Sequence, residues 1–343
     1  MTVPEQWLLA LANPEYLSGN LPCQRLNPGN VVSVCMHAEL HGVLPATLKQ
    51  VDWLLHNEPE KLLSTPGVNS EIIAAINPMQ KRVAERLAIT LFLGAETQKI
   101  VSEFRAAGAE TIVLKGAEFA ARLYTPPALR PFIDVDLLVR VGDWDCVSTT
   151  MSRLGYAPHE TSLKYAAGYS ERTWEHPAMP GAMVEVHDNL VNSPTIRRGV
   201  SVCFKDLPLE HGTDGQIRAT PAGLLIIASV HGAASHSFDK LQHLCDIAQI
   251  VRGRAGRIDE ASLRECMTRT GAGFSVAMGL DLTARAFDEP AAADLLARLK
   301  PRWPRRMARL LITPTVVARS QGPRRRGVSW RRQTLRQMLK SRH

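Results

Sequence analysis

A chain of 343 residues with a hydrophobic fraction of 45% can bury one large core or two of ordinary size, and its apolar residues never run together far enough to span a bilayer. The net charge of +8 sits at one end: residues 301–343 hold thirteen Lys and Arg and no Asp or Glu, which leaves residues 1–300 with 28 basic against 33 acidic groups. The six cysteines are scattered singly, without CxxC spacing, which argues against a disulfide framework or a cysteine zinc site; the N-terminus shows no basic stretch before an apolar core, so a cytoplasmic location is expected.

Residues 1 to about 80 are short apolar segments broken by prolines, and read as short helices with turns. Gln80 to Ala107 carries Val83, Leu87, Leu91, Ile100, Val101 and Phe104 at near-helical spacing, with Gly108 as the stop. The first 107 residues thus form a helical N-terminal region.

Residues 108–219 change period and read as a mixed α/β core. Thr111 to Leu114 is a short strand, and Gly116 opens a helix to about Tyr124. At that handover free amide protons and the positive end of the helix dipole suit a phosphate, with Gly116 allowing close approach and Lys115 adding charge. The strand Ile133 to Val139 follows, carrying Asp134 and Asp136 at i and i+2 and therefore on one face. Strands disfavour Asp, and two like charges so close call for a counter-cation, so this pair is expected to clamp a hard divalent ion such as Mg²⁺.

Asp143 reads as the N-cap of a helix ending near Gly155, and strands at about 171–176 and 183–187 flank a turn at 177–181. In the second of these, Glu185 and His187 share a face, so Glu185 offers a third carboxylate and His187 a group to orient a carboxylate or phosphate. Asp188 should point away.

Helices are predicted at about 221–235, 239–252, 259–270, 273–286 and 290–299, a C-terminal helical region over 220–300. His231, His236, His243 and Asp246 fall there at spacings that match no ligand motif, and are expected to pack or to hydrogen-bond an acceptor. In the basic tail, 301–343, Met307, Leu310, Leu311, Ile312, Val316 and Val317 suggest a docked first half, Gly322 to Arg326 a break, and 328–340 a basic helix available to RNA or an anionic surface. Few apolar anchors are visible after residue 324, so the fold is expected to tolerate its removal.

The series LKGAEFAARLY, LRPFIDVDLLV, LGY at 154–156 and VEVH, continued by VHGAASHSFDKLQHLCDIAQI, resembles the uncharacterised nucleotidyltransferase family of the DNA polymerase β-like superfamily. That resemblance covers about residues 85–255 and implies an α+β fold, a small mixed sheet embedded in helices. It implies two Mg²⁺ ions held by Asp134, Asp136 and Glu185, a nucleotide-phosphate loop at Lys115 and Gly116, and Arg130 forked onto the triphosphate of an NTP. Lys-Gly stands where most of the superfamily has Gly-Ser. The expected reaction is transfer of a nucleoside monophosphate to a small molecule, saccharide or peptide. An RNA-directed toxin and a non-catalytic nucleotide-binding scaffold are the alternatives.

Overall fold

The computed structural model describes residues 1–15, 21–63, 69–159, 168–212, 214–301, 304–320 and 330–341. Four short helices, α1 (Val3–Ala12), α2 (Pro28–Leu40), α3 (Leu44–Asn57) and α4 (Pro59–Leu62), precede the long α5 (Asn69–Ala106). The prolines of this region open helices as much as they end them: each of α1 to α4 has one in its first turn, where the missing N–H costs nothing.

Sequence periodicity predicted a start for α5 near Gln80, but the helix begins at Asn69 and passes through Pro78. An interior proline costs about 3 kcal/mol. Ile72, Ile76 and Met79 are buried around it, and at roughly 1.5–3 kcal/mol per side chain that burial outweighs the loss.

The core runs β1 (Thr111–Val113), α6 (Gly116–Leu123), β2 (Asp134–Val139), α7 (Trp144–Arg153), β3 (Ala157–Pro158), β4 (Glu171–His176) and β5 (Met179–His187). These strands make one five-stranded sheet in the order β1-β2-β5-β4-β3, with β2 and β5 parallel and the other pairs antiparallel. A hairpin of β6 (Leu209–His211) and β7 (Ile217–Ala219) follows. At the start of α7, Asp143 occupies the N-cap position but makes no side-chain cap bond.

The sheet separates two cores, because side chains alternate along β2. Val135, Leu137 and Val139 pack with Leu93, Ile100 and Phe104 of α5 and with Val147 and Met151 of α7. Leu138, from the opposite face, joins the larger core built with the N-terminal and C-terminal helices. Asp134 and Asp136 share the face of Leu138, so the acids look toward the helical region.

That region comprises α8 (Pro221–Val230), a π-helical turn over His231–Ser235, α9 (Leu241–Val251), α10 (Glu260–Thr270), α11 (Gly273–Phe287) and α12 (Pro290–Leu299). No described helix is long and apolar enough to cross a membrane.

The tail departs from expectation. Beyond α13 (Arg305–Leu311) and α14 (Pro314–Ala318), the helix α15 (Trp330–Leu339) is docked, with Leu335 and Leu339 fully buried and Met338 nearly so. Three apolar residues at helical spacing sufficed to anchor a helix whose charge dominated its sequence. Gly199 lies backbone to backbone against Leu339, leaving no room for a Cβ. Within the first half of the tail Leu311, Ile312 and Val317 are buried, whereas Met307 and Leu310 are exposed. The predicted break at Gly322–Arg326 lies outside the described residues.

Candidate functional site

The parallel pairing of β2 with β5 sets the site. Its register places Asp136 opposite Glu185, with Met183 opposite Asp134 and His187 opposite Leu138. Because β4 pairs β5, Thr173 stands beside Glu185 and Glu171 beside His187. One sheet face thus carries Asp134, Asp136, Glu185, His187 and Glu171.

The ligand atoms that meet within 4.8 Å of one another belong to Asp136, Glu185 and His187, and Asp134 flanks this group on the same face. His187 Nε2 lies 3.5 Å from Asp136 Oδ1, and its Nδ1 lies 3.9 Å from Glu171. Asp136 is 2% exposed, and its Oδ2 has no hydrogen-bond partner among the described residues. A buried carboxylate oxygen of that kind, in a set rich in oxygen donors, fits a hard divalent cation such as Mg²⁺.

Electrostatics sort the acids. The neighbouring Asp136 carboxylate, with burial, pushes Asp134 up to about 6. Asp136 goes the other way: burial would raise it, but Lys115 and His187 outweigh that and hold it well below the usual carboxylate range. Burial likewise opposes the charged forms of Lys115 and His187, and the surrounding carboxylates reverse this and raise both.

Lys115 occupies the N-cap of α6, where Gly116 has φ +45° and its missing Cβ leaves space beside Phe132. Its ammonium reaches Asp136 Oδ1 at 2.8 Å and His231 Nε2 at 3.3 Å. The lysine read from sequence as a phosphate contact therefore also ties the acidic face to the helical region.

Arg130 is held by a buried carboxylate. Its Nε and Nη2 donate to the two oxygens of Asp246 at 2.8 and 2.9 Å, and Tyr124 donates to the same carboxylate at 2.7 Å. Arg130 and Asp246 are both buried, and the guanidinium lies over the Phe119 ring. Its Nε–Nη2 edge is thus committed to Asp246 within the protein, while Nη1 lies 3.5 Å from Gly116 O at the start of α6. Sequence reasoning had both residues without linking them, because 116 positions separate them.

Asp188 faces away, accepting a bond from Trp144 Nε1 at 3.0 Å. One group went unread in the sequence, and a second was named there without its members being brought together. Glu171 takes a bond from Asn192 at 2.9 Å and adds a fourth acid; alternation in ERTWEH would have placed it beside His187 had the strand order been known. His231, His236 and His243 converge behind Lys115. Next to Glu171 opens a cleft of about 530 Å³, whose walls include Asn192, Ser193 and Ser235 and whose α15 side carries Arg336 and Lys340.

A family model for an uncharacterised nucleotidyltransferase matches residues 26–288, a span that takes in α2 to α5, the sheet and the helices through α11. No curated protein and no solved structure matches.

Proposed function

Because the chain belongs to the family of uncharacterised nucleotidyltransferases, we propose that it moves a nucleoside monophosphate from an NTP to a hydroxyl or phosphate acceptor on a small molecule, saccharide or peptide, releasing pyrophosphate. The observation that carries this reading is the register that sets Asp136 against Glu185, with Asp134 on the same face.

Asp134, Asp136 and Glu185 would hold Mg²⁺, which supplies charge stabilisation at the acceptor oxygen and at the leaving oxygen of an in-line displacement. Asp136, held ionised by Lys115 and His187, is the strong ligand and a poor base. Glu185, half-buried, is assigned the proton of the attacking hydroxyl. The amides at the start of α6 and the Lys115 ammonium would receive phosphate oxygens. As the acceptor oxygen bonds to the α-phosphorus, the bond to the bridging oxygen breaks and pyrophosphate leaves. The cleft beside Glu171 has the size and polarity for the acceptor.

Purified protein incubated with Mg²⁺, each labelled NTP and a cell extract tests this. Label should enter a small molecule or peptide, and Asp134→Asn, Asp136→Asn and Glu185→Gln should each lose at least about a hundredfold in rate. Undiminished transfer in both aspartate variants would show that the acids are not the catalytic set, and label found in RNA instead would identify an RNA acceptor.

A further inference from the structure

Behind Lys115 three histidines from two backbone segments point at one another. His231 opens the π-helical turn, His236 ends it, and His243 lies in α9. Their ring centroids are 4.6, 4.8 and 5.5 Å apart. One ring nitrogen from each lies within 4.8 Å of the others. Around a tetrahedral metal with bonds of about 2.0–2.1 Å, nitrogen ligands sit about 3.4 Å apart, so small ring rotations close the set.

The backbone is shaped to make this cluster. Ser237 and Phe238 both take left-handed dihedrals, φ 53° each, a conformation that strains a non-glycine residue. Phe238 N donates to Gly232 O at 2.7 Å, and the Phe238 ring sits where a Cβ on Gly232 would be. The π-helical turn places His231 and His236 at its two ends, and the reversal after it leads the chain back into α9, which carries His243. Single-turn π-helices and strained non-glycine residues concentrate at functional sites.

Two further observations point to a ligand. His243 is 7% exposed, and its Nδ1 has no hydrogen-bond partner among the described residues. His236 Nδ1 lies 3.5 Å from Asp239 Oδ1, the carboxylate-on-imidazole arrangement that orients a metal-binding histidine and leaves Nε2 to the metal. Burial, then the nearby positive charges, push His231 and His243 well below the usual imidazole range, so both are neutral and able to donate a lone pair. Lys115 would oppose a second cation, but its charge is offset by Asp136 at 2.8 Å.

We propose that His231, His236 and His243 form a transition-metal site of the Zn²⁺ class, distinct from the carboxylate face in donor chemistry and joined to it through Lys115. Neutral imidazoles suit Zn²⁺, Co²⁺ or Ni²⁺ and discriminate against Mg²⁺, which prefers oxygen. With three protein ligands the fourth position is left for water or substrate.

Co²⁺ serves as the probe, since its tetrahedral complexes absorb in the visible. Full-length protein in excess Mg²⁺ should take up one Co²⁺ per chain with such absorption. Glu185→Gln and Asp134→Asn should retain that absorption, whereas His236→Ala and His243→Ala should weaken binding at least tenfold while keeping the far-ultraviolet circular dichroism of the wild type. His236 is the less buried of the two, so its variant guards against a folding artefact. Absence of the band in the wild type at stoichiometric Co²⁺ would overturn the proposal, as would a band that the carboxylate variants lose and the histidine variants keep. Because the band is read without NTP, failure of nucleotidyl transfer leaves this result standing.

Discussion

Lys115 is the residue on which the site turns. It meets a carboxylate on one side and an imidazole on the other, and the acids around it differ in proton affinity through position alone. Asp134 titrates near 6 in the fold against an ordinary value near 4, so protonated Asp134 favours the folded state. Its contribution is fully present below about pH 4 and is lost as pH rises through 6. Asp136 has the opposite sign, contributing stability that persists down to strongly acid pH. Without divalent cation, Asp134→Asn should therefore be more stable than wild type at pH 7, by on the order of 1–2 kcal/mol, and no more stable at pH 4. Melting curves across that range in chelator give the comparison; an equal gain at both pH values would rule out carboxylate repulsion as the cause.

At the scale of elements, the joint between the core and the helical region is the buried group formed by Arg130, Asp246 and Tyr124. It links the segment between α6 and β2 to α9. Removing one ion of a buried pair strands the other, at a cost of about 3–5 kcal/mol. Arg130→Met and Asp246→Leu should each destabilise by that amount, and the double variant by clearly less than the sum. Denaturant unfolding of the four proteins measures the coupling, and strict additivity would mean that the ion pair is not formed.

The strands that carry the acids were legible because alternation in FIDVDLLV and AMVEVHDNL is a local signal. So was the handover at Gly116, where a strand stops and a helix begins within a few residues. The partner of Arg130 and the histidine triangle were not, since each depends on which distant segments pack together. Pro78 misled for a related reason: local geometry calls it a breaker, and only buried neighbours along α5 show why the helix continues.

For the whole molecule, the basic C-terminal segment is part of the architecture. α15 buries Leu335, Met338 and Leu339, Arg336 donates to Ser235 O at 3.4 Å, and Arg332 reaches Asp239. At roughly 1.5–3 kcal/mol per buried side chain, removing 330–343 should cost several kcal/mol and lower the melting temperature by more than about 5 °C, against the tolerance that charge alone suggested. A truncated protein that melts with the full chain would mean that this helix is not docked in solution. Arg336 and Lys340 also line the cleft beside Glu171, so the truncation should raise KM for the acceptor more than for NTP.

The parallel register of β2 and β5 has a kinetic side. Asp136 and Glu185 are neighbours across a ladder closed over nearly fifty residues, with two further strands in between. Such non-local pairings form late and slowly, because the chain must first lose the entropy of closing the loop. Here the two strands also approach with like charges directly opposed. If that ladder is set in the rate-limiting step, neutralising either acid lowers the barrier, and refolding of Asp136→Asn in chelator should outpace the wild type. Mg²⁺ would then act as a folding catalyst, shortening the wild-type refolding time while leaving the variant's almost untouched. Stopped-flow refolding with and without Mg²⁺ would show whether the charge that equips the sheet for chemistry also slows its assembly.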